Sequence, residues 1–94
     1  MKITLKQLLV FKCIHAEGQI SRAARKLHMS VPAVSMALKE LESALGCRLF
    51  ERSATGLLLN PQGELLLPYA NGMLAYGSRY SSYFTPVPVA YVAH

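Results

Sequence analysis

The chain contains no aspartate, and its five glutamates are spread along the sequence rather than grouped. Paired carboxylates and base-activated nucleophiles are common in hydrolytic and acid–base enzymes. A glycine-rich loop that could hold a phosphate is also missing from the sequence. We therefore expect a protein that is not an enzyme and that uses no cofactor.

Cysteines and long apolar runs are scarce as well. Cys13 and Cys47 allow at most one disulfide bridge, which favours a reducing, cytoplasmic setting. The histidines near Cys13 lack the paired ligand spacing of a zinc site, so no metal is expected. The longest uncharged run before Arg79 covers residues 65–78. A membrane-spanning helix needs roughly 20 apolar residues, so we expect no membrane partner.

Charge is unevenly distributed over the 94 residues. The length and the 52% hydrophobic content predict one small domain with a buried core. Ten basic and five acidic residues give a net charge of +5, yet Arg79 is the only charged residue after Glu64. The nearly uncharged last third holds all five tyrosines. The basic part is therefore expected to bind a polyanion, and the apolar part to bind protein.

Two helices are predicted within the first 29 residues. Thr4 and Gln7 fit a capping box at the start of the first helix, and Gly18 supplies the residue that ends it. Ser21 is expected to cap a second, short helix that stops near residues 28–29. His28 then occupies a turn position where a positive φ is common, and His tolerates that conformation better than most residues.

A third helix and a hairpin are predicted next. The helix is expected to start at Ser30, its N-cap, with a proline in its first turn, and to end at Gly46. Residues 48–51 and 57–59 are short strand candidates joined by a turn at 53–56, which predicts a two-stranded hairpin. The order helix, short helix, turn, helix is the arrangement that places one helix in the major groove of DNA.

A fourth helix is predicted from Pro61, capped by Asn60, to about Phe84. Pro68 lies inside it and is expected to bend it or to leave one carbonyl unpaired. Apolar residues repeat along this helix at spacings of three and four, as in a heptad seam. A helix this long projects past three short helices, so its seam is expected to be exposed and to pair with a second copy of the chain. The predicted dimer interface consists of Leu66, Tyr69, Met73, Tyr76, Tyr80 and Tyr83.

Six strings of residues together carry a family resemblance. They are Ser21-Arg22-Ala23-Ala24 to Leu27, Ser30-Val31-Pro32-Ala33-Val34-Ser35, Leu41-Glu42, Leu45-Gly46, Arg48-Leu49-Phe50-Glu51-Arg52 and Leu59-Asn60-Pro61-Gln62-Gly63-Glu64-Leu65-Leu66. At this spacing they resemble the N-terminal domain of LysR-type transcriptional regulators, over about residues 3–84.

The resemblance implies a mainly α fold with three parts. Residues 1–60 are expected to form a winged helix-turn-helix of three helices plus a two-stranded wing. Residues 61–84 are expected to form a long linker and dimerisation helix. Residues 85–94 are expected to be a tail, either disordered or the start of an effector domain absent from this chain.

The resemblance also implies a function. A homodimer would bind double-stranded DNA sequence-specifically, with the recognition helix at about 31–45 in the major groove and the wing at about 48–59 at the minor groove. Family members usually continue into an effector-binding domain, so a small-molecule effector is expected to bind outside this chain. The chain is then the DNA-binding part produced alone, a truncated gene product or a naturally short relative, and we favour the first.

The predicted DNA contacts depart from the family pattern at two positions. In the family, the positions matching Val31 and Met36 are often Gln and a basic residue, whereas both are apolar here. Contact with thymine methyl groups is therefore the expected source of specificity, with a T/A-leaning half-site. The other contacts are expected to position phosphates, and Arg52 is expected to enter the minor groove, as the family's Leu-Phe-x-Arg string implies. The predicted set is Ser21, Arg22, Ser30, Val31, Pro32, Ser35, Met36, Lys39, Arg52 and Ser53.

An alternative function is a helical protein-interaction module that never binds DNA. The apolar face of the third helix and the heptad seam favour it. The two functions differ in one measurable property, because binding to DNA weakens steeply as salt rises and an adaptor without affinity for DNA has no such dependence.

Overall fold

The computed structural model describes residues 3–83, with the side chains of the last helix described as far as Leu74. This range contains four helices and one two-stranded antiparallel sheet, in the order α1 (Leu5–Glu17), α2 (Ile20–Leu27), α3 (Val31–Leu45), β1 (Phe50–Ser53), β2 (Gly56–Leu59) and α4 (Pro61–Tyr83). The predicted mainly helical fold with a hairpin is confirmed. The predicted tail at 85–94 lies outside the described residues.

Local capping signals set the ends of α1. The Gln7 N–H donates to Thr4 Oγ1 and the Thr4 N–H donates to Gln7 Oε1, both at 3.1 Å. This pair of hydrogen bonds is the predicted capping box. Gly18 follows the helix with φ 77° and donates its N–H to the Ile14 carbonyl at 2.7 Å. Both ends of the helix therefore lie where the sequence predicted them.

The start of α2 differs from the prediction. Ser21 was expected to cap this helix, but it lies inside the helix, and Gln19 is the N-cap without a side-chain hydrogen bond. The Ile20 side chain packs against the core, and the helix begins at that residue. Only Gln19 is left extended after Gly18. The capping role predicted for Ser21 is therefore wrong.

The turn after α2 and the two ends of α3 agree with the sequence analysis. His28 has φ 57° and ψ 42°, and it is the one non-glycine residue of the described range with a positive φ. The Ala33 N–H donates to Ser30 Oγ at 3.2 Å, which confirms Ser30 as the N-cap of α3. Gly46 ends the helix with φ 74°.

The hairpin begins two residues later than predicted. Its register pairs Phe50 with Leu59 and Ser53 with Gly56, whereas the first strand was expected from Arg48. Backbone groups just before β1 bind side chains and the start of α4 instead of a partner strand. The Leu49 N–H donates to a carboxylate oxygen of α3, and the Leu49 carbonyl accepts the N–H of Asn60 at 3.0 Å.

The hydrophobic core surrounds α1 and includes residues from every element except β2. The Phe11 and Phe50 rings pack with centroids 5.5 Å apart and connect α1 to the hairpin. From α4, Ala70 is fully buried, so the first half of that helix shares the same core. The buried apolar residues are Leu8, Val10, Phe11, Ile14, Ala23, Ala24, Val34, Ala37, Leu38, Leu41, Leu49, Phe50 and Ala70.

The long helix α4 begins as predicted and continues through Pro68. Asn60 Oδ1 accepts the Gly63 N–H at 2.8 Å, which confirms Asn60 as a capping residue. At Gly63 the helix lies directly against the Leu49 carbonyl. Within residues 3–83, no helix combines the length and apolar character needed to cross a membrane.

Candidate nucleic-acid interface

The face of α3 turned away from the core carries the residues predicted to read DNA. Val34, Ala37, Leu38 and Leu41 are buried on the inner side of this helix. The outer side exposes five predicted contact residues, which are Val31, Pro32, Ser35, Met36 and Lys39. Val31 is 46% exposed and Met36 is 57% exposed, although both are apolar. The structure therefore places the predicted recognition residues together on one accessible surface.

A hydrogen bond from α3 to the start of the hairpin fixes the position of the wing. Glu42 Oε2 accepts the Leu49 N–H at 2.9 Å. On the other side, Asn60 Nδ2 donates to the Arg48 carbonyl at 2.9 Å. A bond between a charged acceptor and a backbone N–H is typically about twice as strong as a neutral one. The wing is thus anchored to both α3 and the start of α4.

The wing is also bonded to the turn between α1 and α2. The Leu57 N–H donates to the Gly18 carbonyl at 2.8 Å. Gly56 lies so close to the Gly18 carbonyl that a Cβ atom there would overlap it, and its φ of 144° also favours glycine. Main-chain contacts therefore set the spacing between the wing and the first turn of α2.

Two adjoining grooves lie between α2, α3 and the wing. The first, here called the wing groove, runs between the start of α2 and the hairpin and is lined by the predicted residues Ser21, Arg52 and Ser53. The second, called the α3 groove, runs along α3 and is lined by Ser35 and Lys39. Arg52 lines both grooves. The structure thus brings the wing arginine and the α3 lysine to one continuous surface.

Arg48 is a basic residue of this surface that the sequence analysis did not single out. It is exposed and lines both grooves, together with Arg52. A signal existed in the sequence, because the apolar pair Leu49 and Phe50 is flanked by charged residues. The residue just before them could have been assigned to the outer surface with Arg52.

The first turn of α2 presents Ser21 and Arg22 to solvent. Gln19, the N-cap, gives this helix no side-chain hydrogen bond. The first N–H groups of a helix carry partial positive charge and bind anions readily when no side chain caps them. At the start of α3, by contrast, the Ser30 hydroxyl oxygen accepts the Ala33 N–H, so this helix start is already capped by a side chain.

The exposed stripe of α4 differs in register from the predicted seam. Leu66 packs partly buried against the core of its own chain, whereas Tyr69 is 72% exposed and Met73 is 53% exposed. Leu65, which was not in the predicted set, is exposed and precedes Tyr69 by four residues. We call Leu65, Tyr69 and Met73 the α4 stripe. The side chains of Tyr76, Tyr80 and Tyr83 lie outside the described residues.

The cysteines and histidines of the described range show no grouping for metal binding. No set of three or more His, Cys or Glu residues within residues 3–83 is arranged to hold a metal ion. Burial raises the pKa of the Cys13 thiol, with nearby Glu17 adding to this effect. The thiol lies 3.8 Å from the Ala23 carbonyl, where it acts as a weak donor between α1 and α2.

Comparison with known proteins gives one family for most of the chain. The family model described as "Bacterial regulatory helix-turn-helix protein, lysR family" matches residues 5–64. The HTH-type transcriptional regulator CfxR of Cupriavidus necator is 43% identical over 72 residues, which cover 77% of this chain and 23% of CfxR. The chain therefore spans about a quarter of the length of the curated relatives it matches.

Several similar solved structures contain DNA, and two of them illustrate the match. A chain of the CbnR_DBD-DNA complex superimposes with a TM-score of 0.78 at 31% identity, covering 85% of this chain and 92% of that one. A chain of the BenM_DBD/benA site 1 DNA complex gives a TM-score of 0.80 at 27% identity, covering 89% and 94%. The arrangement of α1 to α4 and the wing is thus an arrangement that other chains adopt in complex with DNA.

Proposed function

Because the chain belongs to the lysR family of bacterial regulatory helix-turn-helix proteins, we propose that it is the sequence-specific DNA-binding part of a transcriptional regulator. One observation carries the proposal. The outer face of α3 is exposed beside a groove surface lined by Lys39, Arg48 and Arg52. A helix of this kind enters the major groove, while cations beside it neutralise phosphates.

Phosphate contacts are assigned to both ends of the groove surface. Lys39 on α3 and Arg52 on the wing supply charge, and Ser53 lines the same wing groove. Ser21 and Arg22 lie at the uncapped start of α2, where a phosphate oxygen can accept backbone N–H groups. Arg52 extends from the hairpin, which suits insertion into the minor groove.

We further propose that α4 forms a homodimer through the α4 stripe. This helix packs on the core through Ala70 and the partly buried Leu66, whereas the α4 stripe is exposed and open to a partner. Its members follow one another at intervals of four residues and expose large apolar surface. A twofold dimer would place two α3 helices on a palindromic site. Residues 3–60 then contact DNA, and residues 61–83 join the two copies.

Salt dependence of binding to a duplex tests the DNA-binding function. A labelled duplex is titrated with the chain by fluorescence anisotropy at several salt concentrations. The logarithm of the association constant should fall linearly with the logarithm of salt, with a slope of about 0.9 per phosphate contacted. Arg52→Ala and Lys39→Ala should each lower the magnitude of this slope by about one unit.

A matched control separates a contact from a change in net charge. Lys6→Ala removes one exposed positive charge from α1, outside both grooves. It should leave the slope within error of the unaltered chain. Salt-independent binding, or an equal loss of slope in all three variants, would contradict the assignment.

The exposed α4 stripe also supports a second candidate function, a protein-interaction module that does not bind DNA.

Sedimentation analysis tests whether the α4 stripe forms the proposed dimer contact. Tyr69→Glu should shift the chain from dimer to monomer, because a buried carboxylate without a partner is costly at an interface. Asn71→Glu, an equally charged change at an exposed position outside the stripe, should leave the dimer intact. A dimer unaffected by Tyr69→Glu rules out the stripe as the dimer contact.

A further inference from the structure

The outer face of α3 combines two exposed apolar side chains with few hydrogen-bonding groups. Val31 lies in the first turn of the helix, which the Ser30 hydroxyl caps, and Met36 lies five positions later, roughly 140° further around the exposed side of the helix. Between them, Ser35 offers one short hydroxyl. Exposed apolar residues are common singly, and these two share the exposed side of α3 with one cation, Lys39, and one acid, Glu40.

The chemistry of the major groove narrows what such a surface can bind. Guanine, cytosine and adenine present hydrogen-bonding atoms at their edges in this groove, and thymine adds a methyl group at C5. Val31 and Met36 can make no bidentate hydrogen bond to a base edge. A pyrimidine C5-methyl group is therefore the group on the duplex that both side chains can bind favourably.

The spacing of the two residues agrees with neighbouring base pairs. Five helical positions separate Val31 from Met36, which corresponds to about 7.5 Å along the helix axis. Successive bases on one strand are separated by about 3.4 Å, so two contacts fit within about two base steps. Val31 is β-branched and holds one rotamer in a helix, whereas the flexible Met36 adapts to the groove.

We propose that Val31 and Met36 are specificity-determining residues that recognise pyrimidine C5-methyl groups in the major groove. This inference rests on the proposed DNA-binding function. Lys39, Arg48 and Arg52 outnumber the acidic Glu42 among the residues that line the α3 groove, and this excess of positive charge favours a polyanion over an apolar protein partner. Shape and methyl contacts, with little base hydrogen bonding, then select the half-site.

Uracil-substituted DNA provides a test that needs no protein variant. A preferred duplex is first selected from a random library with the unaltered chain, and each thymine of its half-site is then replaced by uracil in turn. Uracil keeps every hydrogen-bonding atom of thymine and lacks only the methyl group. Affinity should fall about fourfold at each position where a methyl group is contacted. Replacing cytosine by 5-methylcytosine at a contacted position where cytosine has weakened binding should restore part of the affinity.

Protein variants then assign the methyl contacts to residues. Val31→Ala and Met36→Ala should each reduce the thymine-to-uracil affinity ratio towards one at a single position. Leu9→Ala is the matched control, because Leu9 is 45% exposed on α1 and lines neither groove. It should leave every ratio unchanged. All three side chains are exposed, and thermal melting of each variant confirms that it folds.

The outcomes separate this inference from the proposed function. Salt-dependent duplex binding with equal affinity for thymine and uracil duplexes overturns methyl recognition and leaves DNA binding standing. A thymine preference that persists in both the Val31→Ala and the Met36→Ala chains overturns the assignment to these residues. Failure to bind any duplex at low salt overturns both.

Discussion

A single methyl group added at Gly63 should destabilise the protein through a backbone clash. A Cβ atom at this position would overlap the Leu49 carbonyl oxygen and lie 2.8 Å from Leu59 Cδ2. The Leu59 side chain can move, but the carbonyl belongs to the backbone just before β1. That same oxygen accepts the Asn60 N–H at 3.0 Å. Gly63→Ala therefore pushes α4 away from the hairpin and weakens a hydrogen bond at the junction.

The expected cost follows from three contributions. Restoring an ordinary C···O contact requires a displacement of about 1 Å. Overpacking of this kind costs about 1–3 kcal/mol, and weakening the hydrogen bond of Asn60 adds about 1 kcal/mol. Replacing a glycine within a helix by alanine raises the free energy of unfolding by up to about 1 kcal/mol, which offsets part of this loss. The free energy of unfolding should fall by about 2 kcal/mol, which lowers Tm by about 10 °C for a domain of this size.

Gly72→Ala is the matched control within the same helix. A Cβ atom at Gly72 meets nothing within 4 Å, so this change should raise the free energy of unfolding by about 0.5–1 kcal/mol. Thermal and urea unfolding of both variants should be measured at one protein concentration, because the proposed dimer would make Tm depend on it. A Gly63→Ala chain as stable as the unaltered protein would refute the close approach of α4 to Leu49.

Three further changes test the junctions around the wing and the turn after α2. Glu42→Ala removes the acceptor of the Leu49 N–H and should cost about 1–3 kcal/mol in urea unfolding, whereas Glu42→Gln keeps an oxygen and should cost less; equal stability of both variants would contradict the bond. Asn60→Ala loses both the cap and the bond to the Arg48 carbonyl, so it should be less stable than Asn60→Asp, which keeps the capping oxygen. His28→Gly should raise Tm slightly, because glycine adopts the positive φ of this turn without strain, and a lower Tm would count against that reasoning.

Helix ends were predictable from the sequence where neighbouring residues alone determine them. The capping box of Thr4 and Gln7 and the Ser30 cap involve residues three positions apart, so their pattern is visible in the chain. Ser21 has the same chemistry as Ser30, yet it lies inside α2, because packing of Ile20 against the core sets the start of that helix. A local capping signal therefore fails when a tertiary contact competes with it.

The hairpin and the α4 stripe also differ from the prediction because contacts between residues distant in the sequence determine them. The first strand was predicted from Arg48, but bonds from Glu42 and Asn60 occupy the backbone there. These partners lie 7 and 12 positions away from the groups they bind. Heptad spacing predicted an apolar helix, but it could not predict which of its apolar residues pack against the chain's own core. Leu66 packs against the core, whereas Leu65 is exposed on the surface.

The main-chain bond between Leu57 and Gly18 has a consequence for how binding specificity can change. The two parts of the surface assigned to phosphates, the wing and the start of α2, are held at a set distance by backbone atoms and by the contact of Gly56 with Gly18. Side chains on α3 play no part in this bond. Substitutions on the outer face of α3 can therefore exchange one preferred base sequence for another while the width of the protected DNA footprint stays constant.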